Sequence, residues 1–285
     1  MENRHDYAIT WGAGRPAVLD SQPMELNLTG KVAVVTGASK GIGLAITRAL
    51  AEEGALVVAA SQKGSPELDL LADRWHVRSM RVDLSTESGP AALIAHAIDQ
   101  YEHLDIVVNN VGGVRPRPAG YLAVTDADWA TTFTLNFFAA QRTMRAALPH
   151  LVRRTTSSIV TISSVNAFLP DPLVIDYCAA KAALANLCKA LSKEFGPHGV
   201  RVNTVSPGPV ETDLWLGDGG VADTLAKAQG TRADDIQAGA ASQSVTGRFT
   251  RPHEVADLVL LLASDRTSNV TGADFVIDGG LITSL

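Results

Sequence analysis

The chain has 285 residues, 46% of them hydrophobic, and a formal net charge of −6. That is enough apolar material for one α/β core, since such domains hold a single core up to roughly 250–300 residues. The acidic balance argues against nucleic acid or an anionic membrane surface as partner. No run reaches the ~18 apolar residues of a membrane helix, and two cysteines, Cys178 and Cys188, build no disulfide framework and suit a reducing cytoplasm.

Residues 1–27 read as an N-terminal extension, an irregular lead-in that runs on to Thr29. It carries Pro and Gly but no apolar h-region of a secretory leader. Tyr7, Trp11 and Val18 offer apolar handles, so it is either a disordered tail or a segment packed on the body or on a neighbouring subunit. Residues 28–285 then alternate strand and helix patterns. Strands are expected at Lys31–Val35, Ala55–Ala60, Val77–Val82, Leu104–Val108, Ser158–Ile162, Val200–Val205 and Asp274–Ile277. Helices are expected at Ile42–Glu53, Pro66–Trp75, Pro90–Tyr101, Asp126–Leu151, from Tyr177 to about Phe195, and Pro252–Ala263. A Gly/Pro/Arg loop runs to Gly120, and Val210–Gly247 reads as irregular. Continuous Val/Ile/Ala strands between helices imply a single-domain, doubly wound parallel α/β sheet of about seven strands, of Rossmann type, with helices on both faces. Such sheets bind ligands at the carboxyl ends of their strands.

Two stretches carry chemistry. Thr36-Gly37-Ala38-Ser39-Lys40-Gly41-Ile42-Gly43 follows the first strand and opens the first helix. Glycines there let the backbone turn tightly against a pyrophosphate, and the helix start offers free N–H groups. Without a ligand the same stretch is only a tight turn. The acid that bonds an NAD ribose is absent at the end of the second strand, where the sequence reads Ser61-Gln62-Lys63. Ser61, Lys63 and Lys40 could instead receive a 2′-phosphate, which favours NADP over NAD.

The second stretch is Ile175-Asp176-Tyr177-Cys178-Ala179-Ala180-Lys181. On a helix Tyr177 and Lys181 share a face, one turn apart. An ammonium beside a phenol favours the phenolate and lowers a pKa of about 10, so that the tyrosine can pass a proton near neutral pH. Alone, such a pair is equally at home on a solvated helix face. Ser164 stands 13 residues upstream and Asn136 before it.

Together these residues resemble the short-chain dehydrogenase/reductase family, from about Leu28 to the end. Gly37, Ser39, Lys40, Gly41, Ile42 and Gly43 look like its cofactor turn. Asp83-Leu84 resembles its adenine-contacting pair, and Asn109-Asn110-Val111-Gly112 the element that steadies the central sheet, with Val111 for the usual Ala. Pro207-Gly208-Pro209-Val210-Glu211-Thr212 is similar to the loop beside the nicotinamide, and Gly272–Gly280 to the closing strand. The resemblance implies hydride transfer between a nicotinamide cofactor and a carbonyl or secondary alcohol. In that scheme Tyr177 moves the hydroxyl proton, and Lys181 lowers the Tyr177 pKa and holds the nicotinamide ribose. Ser164 donates to the substrate oxygen, and Asn136 holds a water linking Lys181 to solvent. The resemblance further implies a homodimer or homotetramer.

The pocket is expected on the loops Gly113–Gly120, Val165–Pro170 and Val210–Gly247. Phe168, Leu169, Trp215 and Leu216 suggest an apolar wall for a medium-sized hydrophobic ketone or alcohol. Arg115 and Arg117 either meet an anionic substrate or lie in a solvated loop. The seven histidines show no metal-ligand spacing. Two rival functions use the same scaffold: a cofactor-binding regulator without turnover, and a lyase or epimerase with no net redox change.

Overall fold

The computed structural model describes residues 24–283. The expectations for Tyr7, Trp11 and Val18 lie outside the described residues. Seven strands form one parallel sheet: β1 (Val32–Thr36), β2 (Leu56–Ser61), β3 (Val77–Arg81), β4 (Ile106–Asn109), β5 (Ser157–Ile162), β6 (Val200–Pro207) and β7 (Asp274–Ile277). Their order is β3-β2-β1-β4-β5-β6-β7. The chain reverses direction across the sheet between β1 and β4, which opens a crevice over the carboxyl ends of these two strands.

The strand composition explains the layering. Side chains alternate between faces along a strand. In β1, Ala33 and Val35 enter one core cluster while Val32 and Val34 enter the other. Both faces must therefore be covered. Ile46, Leu50, Val255 and Val259 from α1 (Gly41–Glu52) and α10 (Pro252–Ala263) cover the first. The second is covered by α3 (Gly89–Tyr101), α5 (Ala139–Leu151) and α6 (Ile175–Phe195), through residues such as Leu93, Met144 and Leu184. Helix α2 (Pro66–Arg74) starts on a Ser65 cap that accepts from the Leu68 N–H, with Pro66 in its first turn. At the edge, β3 is largely exposed, as its Arg78, Ser79 and Arg81 allow.

Two expectations change. The helix expected over Asp126–Leu151 is not continuous: α4 (Asp126–Phe133) and α5 are joined by a π-helical segment, Thr134–Phe138. The Asn136 amide donates to the Thr132 carbonyl, and this side chain inserted into the ladder is a recognised cause of such a break. Val210–Gly247 is not irregular either. It holds α7 (Asp213–Leu216), α8 (Val221–Gln229) and α9 (Ala233–Ser242). Helix α8 buries Val221, Ala222, Leu225 and Ala226 and stops at left-handed Gly230. Segments of nine or ten residues are marginal helices alone, and tertiary packing supplies what propensity does not.

Candidate active site

A cavity of about 750 Å³ opens over the carboxyl ends of the sheet, a volume in the range of small-ligand sites. At one end lies the turn between β1 and α1. Gly37 and Gly41 sit at φ of +67° and +55°, a region open mainly to glycine. The Asn110 amide donates to the carbonyl oxygens of Thr36 and Gly37 at 2.9 and 3.2 Å, clamping the end of β4 to the turn. The Thr36 hydroxyl accepts from the Asn110 and Val111 N–H groups. Gly37, Ser39, Lys40, Gly41 and Ile42 line the cavity. Gly43 does not; it lies beneath, and a Cβ there would run into the Gly37 carbonyl and the Asn110 amide. Its place in the motif is therefore close packing rather than surface contact.

The next strand ends complete this wall. Ser61, Gln62, Asp83 and Leu84 line it, as do Asn110, Val111 and Gly112. Lys63 does not reach it. The Ser61 hydroxyl accepts from the Gly64 N–H at 3.0 Å, and Gln62 donates to Asp83 at 3.1 Å. Hydrogen bonds from Ser85 hold the Asp83 carboxyl below the usual carboxylate range. Pro207, Gly208, Val210 and Thr212 close the far side, and Thr212 packs against Gly41. There the Lys40 ammonium stands 3.7 Å from Asp213, both well exposed. Among the described residues, the buried Ser163 hydroxyl on this cavity has no hydrogen-bond partner, so it is free to meet a bound group. The glycine cradle, the free helix start and this orphaned hydroxyl fit a dinucleotide.

Ser164, Tyr177 and Lys181 converge at the other end. Ser164 follows the end of β5, and Tyr177 and Lys181 share one face of α6. Lys181 is buried and donates to the Ile162 carbonyl at 2.8 Å, with its Nζ 5.6 Å from the centre of the Tyr177 ring. Burial pushes the Tyr177 phenol up to about 12, with the Ser164 side chain pulling it the other way. Burial also pushes the Lys181 ammonium down to about 8. This runs against the expected lowering of the phenol: its desolvation is the largest cause, ahead of the Ser164 hydrogen bond.

Asn136 is fully buried behind the cavity. Its side chain accepts from the Gly113 N–H and donates to the Gly113 carbonyl, both at 2.9 Å, besides its bond to Thr132. A Cβ on Gly112 would lie 2.9 Å from Asn136 Oδ1 and 3.4 Å from Lys181 Nζ. The Asn136 side chain thus pins the Gly112–Gly113 turn beside the ammonium.

Leu169, Leu173, Leu214, Trp215 and Leu225 form an apolar part of the remaining lining, which also includes Asp171 and Asp213. Phe168 and Leu216, expected in this wall, do not line it. Asn166, Gln243 and Leu281 do, and nothing local in their sequence marks them. Neither arginine of the Gly113–Gly120 loop lines the cavity. Arg117 is held by Asp176 and Asp128 at 2.5 and 2.8 Å, which removes it as a ligand for an anionic substrate.

A seven-stranded parallel sheet with a glycine turn at its switch point and a Tyr/Lys/Ser cluster on the same cavity defines a dinucleotide-dependent oxidoreductase architecture. A family model described as enoyl-(acyl carrier protein) reductase matches residues 37–282. The chain is 36% identical over 260 residues to 4-formylbenzenesulfonate dehydrogenase TsaC1/TsaC2 of Comamonas testosteroni, covering 90% of this chain and 99% of that protein. It is 34% identical over 266 residues to D-threitol dehydrogenase of Mycolicibacterium smegmatis, covering 91% and 96%. The structure of L-sorbose reductase from Gluconobacter frateurii, complexed with NADPH and L-sorbose, superposes with a TM-score of 0.84 at 30% identity, covering 92% of this chain and all of that one. The chain belongs to the short-chain dehydrogenase/reductase family. With it the chain is an oxidoreductase that exchanges a hydride with an alcohol or carbonyl carbon. Among the described residues no helix is long and apolar enough to cross a membrane.

Proposed function

We propose that the chain is an NADP-preferring dehydrogenase/reductase of a medium-sized, uncharged ketone and its secondary alcohol, with Tyr177 as the acid/base group. The observation that carries this is one cavity with the glycine turn at one end and Ser164, Tyr177 and Lys181 at the other. The nicotinamide group, when bound, supplies or accepts the hydride. Residues Gly37–Ile42, Asp83, Leu84 and Asn110–Gly112 would hold its nucleotide end; Pro207, Gly208, Val210 and Thr212 would flank its nicotinamide end. Ser61 and Gln62 put no carboxylate at the end of β2, and Lys40 is exposed on the turn, which suits a 2′-phosphate.

Tyr177 gives its proton to the carbonyl oxygen in reduction and takes the hydroxyl proton in oxidation. Its raised pKa keeps the phenol protonated at neutral pH, which suits reduction. Ser164 donates to the same oxygen as charge develops there. Lys181 holds the ribose hydroxyls, and Asn136 keeps Gly112–Gly113 against it. The apolar wall takes the body of the substrate. The two lysines on the cavity are Lys40, at the turn, and Lys181, bonded to Ile162. A substrate carboxylate in the apolar half would be desolvated without a counter-ion.

Trp129, Phe133, Phe137 and Phe138 pack in a row from α4 into the π-helical segment, with Phe138 40% exposed. We read this face as the seam of a homodimer or tetramer, which light scattering tests. Two buried, unpaired cysteines suit the cytoplasm.

The deciding experiment is a binding titration with NADPH and NADH, followed by a screen of neutral and anionic ketones with the tighter cofactor. About tenfold or greater preference for NADPH, and turnover of neutral over anionic ketones, is expected. Tighter binding of NADH overturns the cofactor reading. Product formation without net change in nicotinamide absorbance favours the lyase or epimerase rival.

A further inference from the structure

Arg117 is neither a substrate contact nor a solvated side chain. Its guanidinium donates through Nε and Nη2 to Asp176 Oδ2, at 3.2 and 2.5 Å, and through Nη1 to Asp128 Oδ1 at 2.8 Å. Its backbone N–H donates to the Leu173 carbonyl at 2.6 Å. Asp176 is 1% exposed and accepts further from the Thr132 hydroxyl at 2.7 Å and from the Tyr177 N–H at 3.1 Å. One buried carboxylate is therefore shared among the loop after β4, helix α4 and the backbone of Tyr177.

We propose that Arg117 is a positioning residue for Tyr177, acting through Asp176. The guanidinium ties its own loop and α4 to the first turn of α6, and it neutralises the buried carboxylate that holds the Tyr177 backbone N–H. This rests on the reading of Tyr177 as the acid/base group. The geometry is specific in kind: a planar fork can hold two carboxylates at once, which a lysine ammonium cannot reproduce. The charged or titratable groups facing the phenol are Lys181 and Cys178 on α6, with the Ser164 hydroxyl beside it; Asp171 faces Cys178, and Asp128 on α4 faces Arg117. Desolvation works against the Asp176 charge, and the Arg117 hydrogen bond, ahead of that from Thr132, holds its pKa down. Without the guanidinium, an uncompensated Asp176 charge on the turn that carries Tyr177 would disfavour a second negative charge on the phenol.

The test uses the full chain with fluorotyrosine incorporated, which brings the phenols into a milder pH range. The Tyr177 fluorine resonance is assigned by its loss in Tyr177→Phe and titrated in Arg117→Met, Arg117→Lys, Asp176→Asn and the double variant Arg117→Met/Asp176→Asn. Arg117→Met should raise the Tyr177 midpoint by about half a unit or more. Asp176→Asn should lower it or leave it, and the double variant should return it to the wild-type value. Arg117→Lys should restore the midpoint but not the rate. In turnover, Arg117→Met should lower kcat on the order of tenfold, below the about 10²-fold cost of an ångström of misplacement, with KM for cofactor within about twofold. A midpoint unmoved in Arg117→Met, or unrestored in the double variant, overturns the proposal. If Arg117→Met fails to fold, a wild-type rate in Arg117→Lys does so instead. The fluorine titration needs no substrate, so a chain that turned over no ketone would sink the redox reading and leave this measurement to decide the proposal.

Discussion

The Lys181 ammonium sits 5.6 Å from the centre of the Tyr177 ring while donating to the Ile162 carbonyl oxygen. Its side chain is thereby fixed by the end of β5, and burial disfavours the charged form of both groups. Tyr177→Phe should lower turnover about 10²-fold or more, the usual scale for a lost general acid/base, with cofactor affinity kept. Because the phenol lies high, alcohol oxidation should rise steadily with pH, while ketone reduction stays flat through neutrality. Lys181→Ala should weaken cofactor binding as well as turnover. Steady-state kinetics with cofactor titrations of both variants check this, and wild-type turnover in Tyr177→Phe would remove it from the mechanism.

Gly43→Ala separates helix propensity from packing. In an exposed helix the change would stabilise by up to about 1 kcal/mol. Here the added Cβ meets the Gly37 carbonyl and the Asn110 amide. A loss of about 1–3 kcal/mol is expected, as for overpacking, together with weaker cofactor binding through the displaced turn. Denaturant unfolding reads the sign directly.

Ser61→Asp tests the cofactor preference. Ser61 is 6% exposed and ends β2 at the cavity wall. A carboxylate there would repel a 2′-phosphate and accept from a ribose hydroxyl. NADPH affinity should fall at least about tenfold while NADH affinity rises. Parallel fluorescence titrations measure both, and unchanged NADPH affinity would show that the 2′ position lies elsewhere.

Glu254 opens α10 by accepting from both Arg248 Nη groups and from the Arg251 N–H. These bonds, that from Arg248 foremost, hold its pKa down to about 2. A folded pKa below the unfolded value of about 4.3 stabilises the fold above that value, and the contribution is lost as pH falls towards 2. Glu254→Gln should therefore lower Tm by about 2 °C at neutral pH. The two melting curves should converge near pH 2, which thermal unfolding across that range measures.

Much of the fold was legible because β1 and β2 are nearly continuous apolar runs, and only burial on both faces asks for those. The same holds for the glycine turn, whose composition is a backbone requirement, and for the Tyr177/Lys181 face, which helical periodicity alone dictates. Helix α8 was also there to be read: Val221, Leu225 and the stop at Gly230 have helical spacing, obscured by the glycines just before it. No local pattern announced the π segment, because the Asn136 side chain bonded to Thr132 is also held by the Gly113 backbone, 23 residues away.

The order of residues along this chain determined the sheet, the cofactor turn and which side chains ride together on α6, since periodicity and backbone freedom are local properties. The folded arrangement alone decided that Gly43 packs beneath the cavity, that Arg117 answers to Asp176 instead of a substrate, and that burial weighs against ionising Tyr177. Each of those depends on what a side chain meets across the molecule and on how much water remains beside it, and neither can be read from neighbours in sequence.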